Sequence, residues 1–467
     1  MKSSRVPGPR GFPLIGNLVD FASDPLSFLC GLANTYGDVA SFRLPMGRVV
    51  LFNDPPAVRR ILTDVSAFPR SGAYRALATV LGRGLLTTDG EFHARERRAL
   101  ISLFSRRESL RYADHAVRAG QRVCERLKHG HEVDVLDEMR HAALEVMFNS
   151  LFGVEIGHQG RQIFDAIDEL ELTFDNQLFL AAPYLFEYAP FGRAKRFRAS
   201  RDMLRSLIAR LISENERTSS TSEQMLPRMR QISEDGQKLS GDVELLIDQV
   251  LTLLLAGHDT TANTLAWAWH LIAESPGIEA LLHHEWAARL NKRPPTIADL
   301  DALPVTEMVI RETLRLYPQA WLQGRRSVAE FEWNGRSFPA GTEVAVSAFV
   351  TQRDQRFFDR PDVFDPLRWS EGHGQNQPDF TYFPFGGGAH RCIGEYLAKT
   401  EAVLLLATIG QGWRFMSASS TAVQMRPAVT LKPAAGLKMI ASTRDEADDL
   451  TRSPSARSAA ATDPLSF

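Results

Sequence analysis

The 467-residue chain holds only three cysteines, Cys30, Cys124 and Cys392, an odd number spread far apart. That spacing supports neither a disulfide framework nor a paired-cysteine zinc site, and a reducing cytoplasm is the expected compartment. Long apolar runs are missing. The N-terminal MKSSRVPGPRGFPLIGNL has neither a membrane anchor nor a signal-peptide core, so a protein without a transmembrane segment is expected. An excess of one charge is also missing: 54 Lys and Arg against 56 Asp and Glu give a formal net charge of −2, which argues against a general nucleic-acid binder. There is no internal repeat, no Walker A sequence and no GxGxxG after a strand, so no dinucleotide-binding reductase is expected within the chain.

What is present is an ordinary globular composition, 44% hydrophobic and 24% charged. DPLSFLCGLANTYG has helical spacing, and VASFRL and RVVLFN read as two paired strands. Residues 66–90 are rich in glycine and small residues and predict a long loop of the kind that forms a pocket wall. Residues 91–215 are mostly helical patterns, and TSSTSEQMLPRMRQISEDGQKLS reads as an exposed connection. β-rich segments beyond Gly335 add a small antiparallel component. The expectation is a mainly α protein with small antiparallel sheets, one large unit over 1–442, and a disordered tail over 443–467, where large apolar residues are few. Cys30 and Cys124 fall on amphipathic helical patterns as buried structural thiols.

Two stretches carry chemistry. Gly241 to Ser275 predicts one long helix with Asp242 and Glu244 in its first turn, interrupted in the middle by AGHDTTA. Gly257 weakens a helix, Asp259 is a charge in apolar company, and Thr260 can bond back one turn. Such local conflict points to function. The second stretch is FGGGAHRCIG, Phe385 to Gly394, which sets Cys392 behind three glycines and ahead of the helical run EYLAKTEAVLLLA. Backbone N–H groups and a helix N-terminus there favour a thiolate. By itself it reads either as a glycine turn with a buried cysteine or as a metal ligand beside a large flat cofactor, with Phe385 as an apolar wall.

The whole pattern, F-G-x-G-x-H-x-C-x-G, resembles the haem-binding loop of the cytochrome P-450 family, the haem-thiolate monooxygenases, and further motifs extend the resemblance over about residues 5–440. It implies the cytochrome P-450 fold, a single large haem domain, and heme b (iron protoporphyrin IX) with Cys392 as axial thiolate. Asp259 and Thr260 become an acid and a hydroxyl that relay the protons consumed in O2 reduction. Ala256, Gly257, Phe385 and Gly394 would lie against the cofactor, with Gly257 leaving room over its face. His93 and Arg97 in EFHARERR, Arg325 in GRRSVAE and His390 become donors to its propionates, with Arg326 the less favoured choice.

The resemblance also groups Glu312 and Arg315 with Arg368 in a buried network that holds the scaffold. Trp369 departs from the usual Phe beside it. Electrons would come from NAD(P)H through an external ferredoxin or flavodoxin-type reductase system, docking on a basic face formed by Arg95, Arg98, Arg106, Arg107 and Arg391. The substrate would be a small hydrophobic molecule, a terpenoid ahead of a fatty acid, and the protein a cytoplasmic monomer. The segment TFDNQLFLAAPYLFEYAPFGRAKRFRASR would include a mobile substrate gate. A peroxide-driven or rearranging enzyme, and a non-enzymatic haem-thiolate sensor or ligand carrier, are the alternatives. Neither needs the acid and hydroxyl pair.

Overall fold

The computed structural model describes residues 6–444 except 46, 73, 155–159, 175–187, 189–191, 218–223, 232, 235–236, 239–241 and 371–376. Most of the proposed gate segment therefore lies outside the described residues. The elements that position the site are the helices α1 (Tyr74–Leu81), α2 (Gly90–Ile101), α3 (Val135–Phe152), α4 (Gly160–Phe174), α5 (Val243–Ala273), α6 (Pro304–Leu316) and α7 (Glu395–Gly410). With them come the strands β1 (Val39–Leu44), β2 (Gly47–Phe52), β3 (Gln323–Arg326), β4 (Glu343–Val346), β5 (Met425–Pro427) and β6 (Leu431–Pro433).

Helix α5 is the axis of the molecule. Asp242 caps it by accepting a bond from the Leu245 N–H at 3.0 Å, and at 31 residues it is about 46 Å long. Apolar side chains cover it all round, and nearly every residue from Leu245 to Ile272 is buried, as expected for a helix with neighbours on every side. One of those neighbours, α3, starts at Asp134, whose carboxylate accepts from the Leu136 and Asp137 N–H groups, and ends at Gly153 in the left-handed conformation.

The largest sheet has the order β1-β2-β4-β3. The sheets are not all antiparallel as expected: β2 and β4 run parallel, with Val50 opposite Val344. A parallel neighbour requires a crossover connection, and here the crossover takes in most of the helices. Strand β3 then pairs antiparallel with β4.

Three expectations need correction. The 66–90 stretch is not all loop, because the apolar run Tyr74–Leu81 forms α1. The supposed exposed connection contains a helix, Met225–Gln231, in which Met225, Leu226 and Met229 are fully buried. The ordered unit extends past 442: Lys438–Thr443 is a strand, and the buried Arg444 lies 3.3 Å from Glu279. Among the described residues no helix is long and apolar enough to cross a membrane.

Candidate active site

The cysteine loop is set by close backbone packing. Gly386 and Gly388 have φ of 72° and 63°, and a Cβ on Gly388 would come within 2.4 Å of the Leu62 carbonyl oxygen, so only glycine fits. The Cys392 N–H donates to the Phe385 carbonyl at 2.9 Å and closes the loop one turn ahead of α7. Burial pushes the Cys392 thiol above its ordinary pKa, against the Gly394 N–H and the Arg97 and Arg391 guanidiniums, which lower it. The Gly394 N–H and the two guanidiniums favour the thiolate, and a bound cation would favour it further. Among the described residues no cluster of three His, Cys, Asp or Glu could hold a bare ion, so a metal at Cys392 would take its other ligands from a cofactor.

Cys392 opens onto a cavity of about 400 Å³ that is mostly apolar, and the residues expected to hold the cofactor or relay protons line it: His93, Arg97, Ala256, Gly257, Asp259, Thr260, Arg325, Phe385, His390 and Gly394. One end holds a cluster of nitrogen donors. His93 is 2% exposed with Nε2 unpartnered, its ring packs edge-on against His390 at 4.5 Å, and burial pushes its pKa down to about 3. His390 lies 2.8 Å from Asp89 through Nε2 and leaves Nδ1 without a partner. Arg325 is 1% exposed with Nε unpartnered, whereas Arg326 faces outward, 3.7 Å from Glu343.

Arg70 belongs to this cluster and was missed. Its Nη1 donates to the Leu85 and Thr88 carbonyls, its Nε is buried without a partner, and burial lowers its pKa to about 10. Four buried N–H or ring nitrogens without partners around a single aspartate are a site built for more negative charge. The two propionates of haem meet that need, and the apolar walls suit its ring, so the residues present fit the group. Arg325→Leu is expected to speed haem loss about 10- to 100-fold, since a bond to a charged group contributes about 1.5–3 kcal/mol. Haem transfer to apomyoglobin measures it.

On the opposite wall Thr260 donates its hydroxyl to the Ala256 carbonyl at 2.8 Å. Asp259 is buried: its Oδ2 accepts from the Thr430 hydroxyl at 2.5 Å, and its Oδ1 has no partner. Among the described residues no hydrogen bond joins Asp259 to Thr260, so a proton passing between them needs a bridging water. Gly257 lines the cavity, and a Cβ there would also meet Met147 Sδ at 2.6 Å, so its missing side chain admits Met147 from α3 as well. Also missed was Glu401 on α7, a cavity-lining carboxyl with an unpartnered Oε1, pushed up to about 8 by burial. Its only sequence signal is a lone acid in an apolar helical run.

Beneath the site, Glu312 is fully buried and accepts from Arg315 at 2.8 and 2.9 Å, from Arg368 at 2.9 Å and from the Asp365 N–H at 3.1 Å. Trp369 is a working member, since its indole N–H donates to Glu312 at 2.8 Å, a bond that Phe could not make. Of the basic face, Arg391 is paired with Glu395, Arg95 with Glu96, and Arg106 lies 3.5 Å from Asp301.

The family model for cytochrome P450 matches residues 6–439. Cyclooctatin synthase of Streptomyces melanosporofaciens is 32% identical over 438 residues, 93% of this chain and 95% of that protein. Cyclooctat-9-en-7-ol 5-monooxygenase of the same organism is 32% identical over 417 residues, 88% of this chain and 90% of the relative. Pentalenene oxygenase of Streptomyces avermitilis is 31% identical over 410 residues, 87% of this chain and 90% of the relative.

Proposed function

The chain belongs to the cytochrome P450 family, haem-thiolate enzymes that use O2 and a redox partner, and we propose that it is a monooxygenase whose haem sits on Cys392 and whose substrate is a terpenoid. The observation that carries the reading is that one cavity brings together the Cys392 thiol, a cluster of unpartnered cationic and imidazole donors, and the Asp259 and Thr260 pair.

Haem bound there would supply the iron that activates O2 for insertion of one oxygen atom into a C–H bond. The Cys392 sulfur would ligate it, and His93, Arg97, Arg325, His390 and Arg70 would hold its carboxylates. Phe385, Ala256, Gly257 and Gly394 would line the space for its ring. Thr260, resting on the Ala256 carbonyl, keeps its lone pairs free to accept from a cavity water. Asp259, anchored by Thr430, takes up and passes on protons through Oδ1. Leu77, Leu81, Leu85, Leu253, Leu322 and Val429 present hydrocarbon to the substrate and exclude bulk water. The terpenoid assignment is supported by relatives named for an alkene and an alkenol. Electrons are drawn from NAD(P)H through a ferredoxin or flavodoxin-type partner docking near Arg95, Arg98, Arg106, Arg107 and Arg391. If so, the rate of reduction falls as salt is raised.

Thr260→Ala tests the reading. The variant is expected to load haem and to show the substrate-induced spin shift of the wild type, while the fraction of electrons ending in product falls about 10-fold or more and peroxide rises. Unchanged coupling would remove Thr260 from the mechanism.

A further inference from the structure

Where α4 and the β5–β6 hairpin form the cavity wall, Ile167, Leu170, Phe174 and Val429 present hydrocarbon, and two lining residues are charged. Lys432 of β6 donates to Glu171 of α4 at 3.0 Å, and Arg140 of α3 lies 3.5 Å from the same oxygen, Oε2. Among the described residues no hydrogen bond reaches the other oxygen, Oε1. Glu171 keeps 20% of its side chain exposed and Lys432 13%, so both stay within reach of a cavity occupant. Thr430 beside them is already engaged: its hydroxyl donates to Asp259 and accepts from Asn263 at 3.2 Å.

Charge on this wall is not needed by the fold, because replacing a buried ion pair with hydrocarbon of the same volume is often neutral or stabilising. It would also be a handicap against a substrate that is hydrocarbon throughout, whose surface would strip water from these groups and return no hydrogen bond. A few polar groups in an otherwise apolar pocket are what fixes the orientation of a ligand.

We propose that Glu171 and Lys432 form a subsite for a hydroxyl group already present on the substrate, which donates to Glu171 Oε1 and accepts from the Lys432 ammonium. The inference rests on the terpenoid reading above and narrows it. This chain oxidises a terpenoid alcohol, and it acts after the reaction that places that hydroxyl on the skeleton.

Charge balance selects an alcohol over an acid or an amine. The two carboxylates that face the cavity here, Glu171 and Asp259, are matched by Arg140 and Lys432, while Asp168, which Arg140 also holds, is 46% exposed and stays in water. A substrate carboxylate drawn to Lys432 would meet Glu171 and add a negative charge without a partner. An ammonium would meet Lys432 in the same way. A hydroxyl brings no charge and both donates and accepts, as the two groups require, whereas a ketone only accepts and would leave Oε1 unmatched.

The test is equilibrium binding to the haem-loaded protein, read as the substrate-induced spin shift, with matched probes: β-farnesene, farnesol and farnesoic acid; cedrene and cedrol; dodecane, dodecanol and dodecanoic acid. The wild type is expected to bind an alcohol about 10- to 100-fold more tightly than its parent hydrocarbon, as hydrogen bonds to charged groups provide, and to bind the acid more weakly than the alcohol. Glu171→Leu with Lys432→Met, which turns the pair into hydrocarbon, should bring alcohol and hydrocarbon to about equal affinity while the hydrocarbon still binds. A merely structural pair would shift both probes alike. A wild type that prefers no alcohol over its hydrocarbon, or a double variant that keeps the preference, overturns the proposal. A preference for the acids overturns it too, by assigning Lys432 to a carboxylate. If the double variant fails to load haem, Lys432→Met alone, which leaves Glu171 its contact with Arg140, decides by the same ratio. The terpenoid reading fails separately: a preference seen with dodecanol and with neither terpenoid alcohol would keep the subsite and remove the terpenoid.

Discussion

Cys392→Ser is expected to reduce oxygen insertion to background while leaving a folded protein that still takes up part of its haem. A serine hydroxyl is far less acidic than a thiol and gives up the anionic sulfur that favours O–O cleavage. The fold should survive, because the loop is closed by the backbone bond from Cys392 to the Phe385 carbonyl and by the glycine contacts at Leu62, neither of which uses the sulfur. Partial loading follows from the grip of His93, Arg97, Arg325, His390 and Arg70 at the other end of the cavity. Haem content and product formation, measured on the same preparation, separate the two effects. A serine variant that turns over like the wild type would remove Cys392 from the chemistry.

Glu312→Gln is expected to be the most damaging change to stability, at about 3–5 kcal/mol, the cost of removing one partner of a buried ion pair. Glu312 and Arg315 are both 0% exposed, and Glu312 is the acceptor common to Arg315, Arg368, Trp369 and the Asp365 N–H. An amide offers one acceptor where the carboxylate has two, and it brings a donor that would face guanidinium groups. Arg315 also ties Gln352, and the Gln352 side chain accepts from the Phe383 N–H two residues before the cysteine loop begins. Loosening should therefore reach the cofactor site as lost haem occupancy as well as a lower denaturation midpoint. Trp369→Phe, which removes a single bond, should cost about 1–2 kcal/mol. A urea titration of the three proteins checks the ranking.

The cysteine loop was legible as ten consecutive residues and the Glu312 and Arg315 pair as an i, i+3 spacing on one helix face, whereas Arg368 joined that pair only through the family resemblance. The central helix was legible for the same reason. Arg70 was not, because its importance comes from a backbone bridge to Arg325 in another segment, and nothing in FPRSG announces it. Glu171 and Lys432 are 261 residues apart and meet only when α4 and β6 close over α5. Packing also added to residues that had been found. Cys392 has the expected N–H neighbour but is raised by desolvation, and Met147 packs beside Gly257. Neither balance can be read from spacing.

The distribution of polar groups in the cavity carries the functional account. Cationic and imidazole donors collect at one end, acid and hydroxyl on α5 occupy the other wall, and the remaining lining is hydrocarbon. Each group has work that a plain apolar pocket would not need, and all of it depends on haem seated on one sulfur. The most direct measurement is the carbon monoxide difference spectrum of the reduced, haem-loaded wild-type protein beside that of Cys392→Ser. A thiolate-type spectrum in the wild type that disappears in the serine variant is the predicted result. The same spectrum in both proteins, or its absence from a fully loaded wild type, would contradict the account.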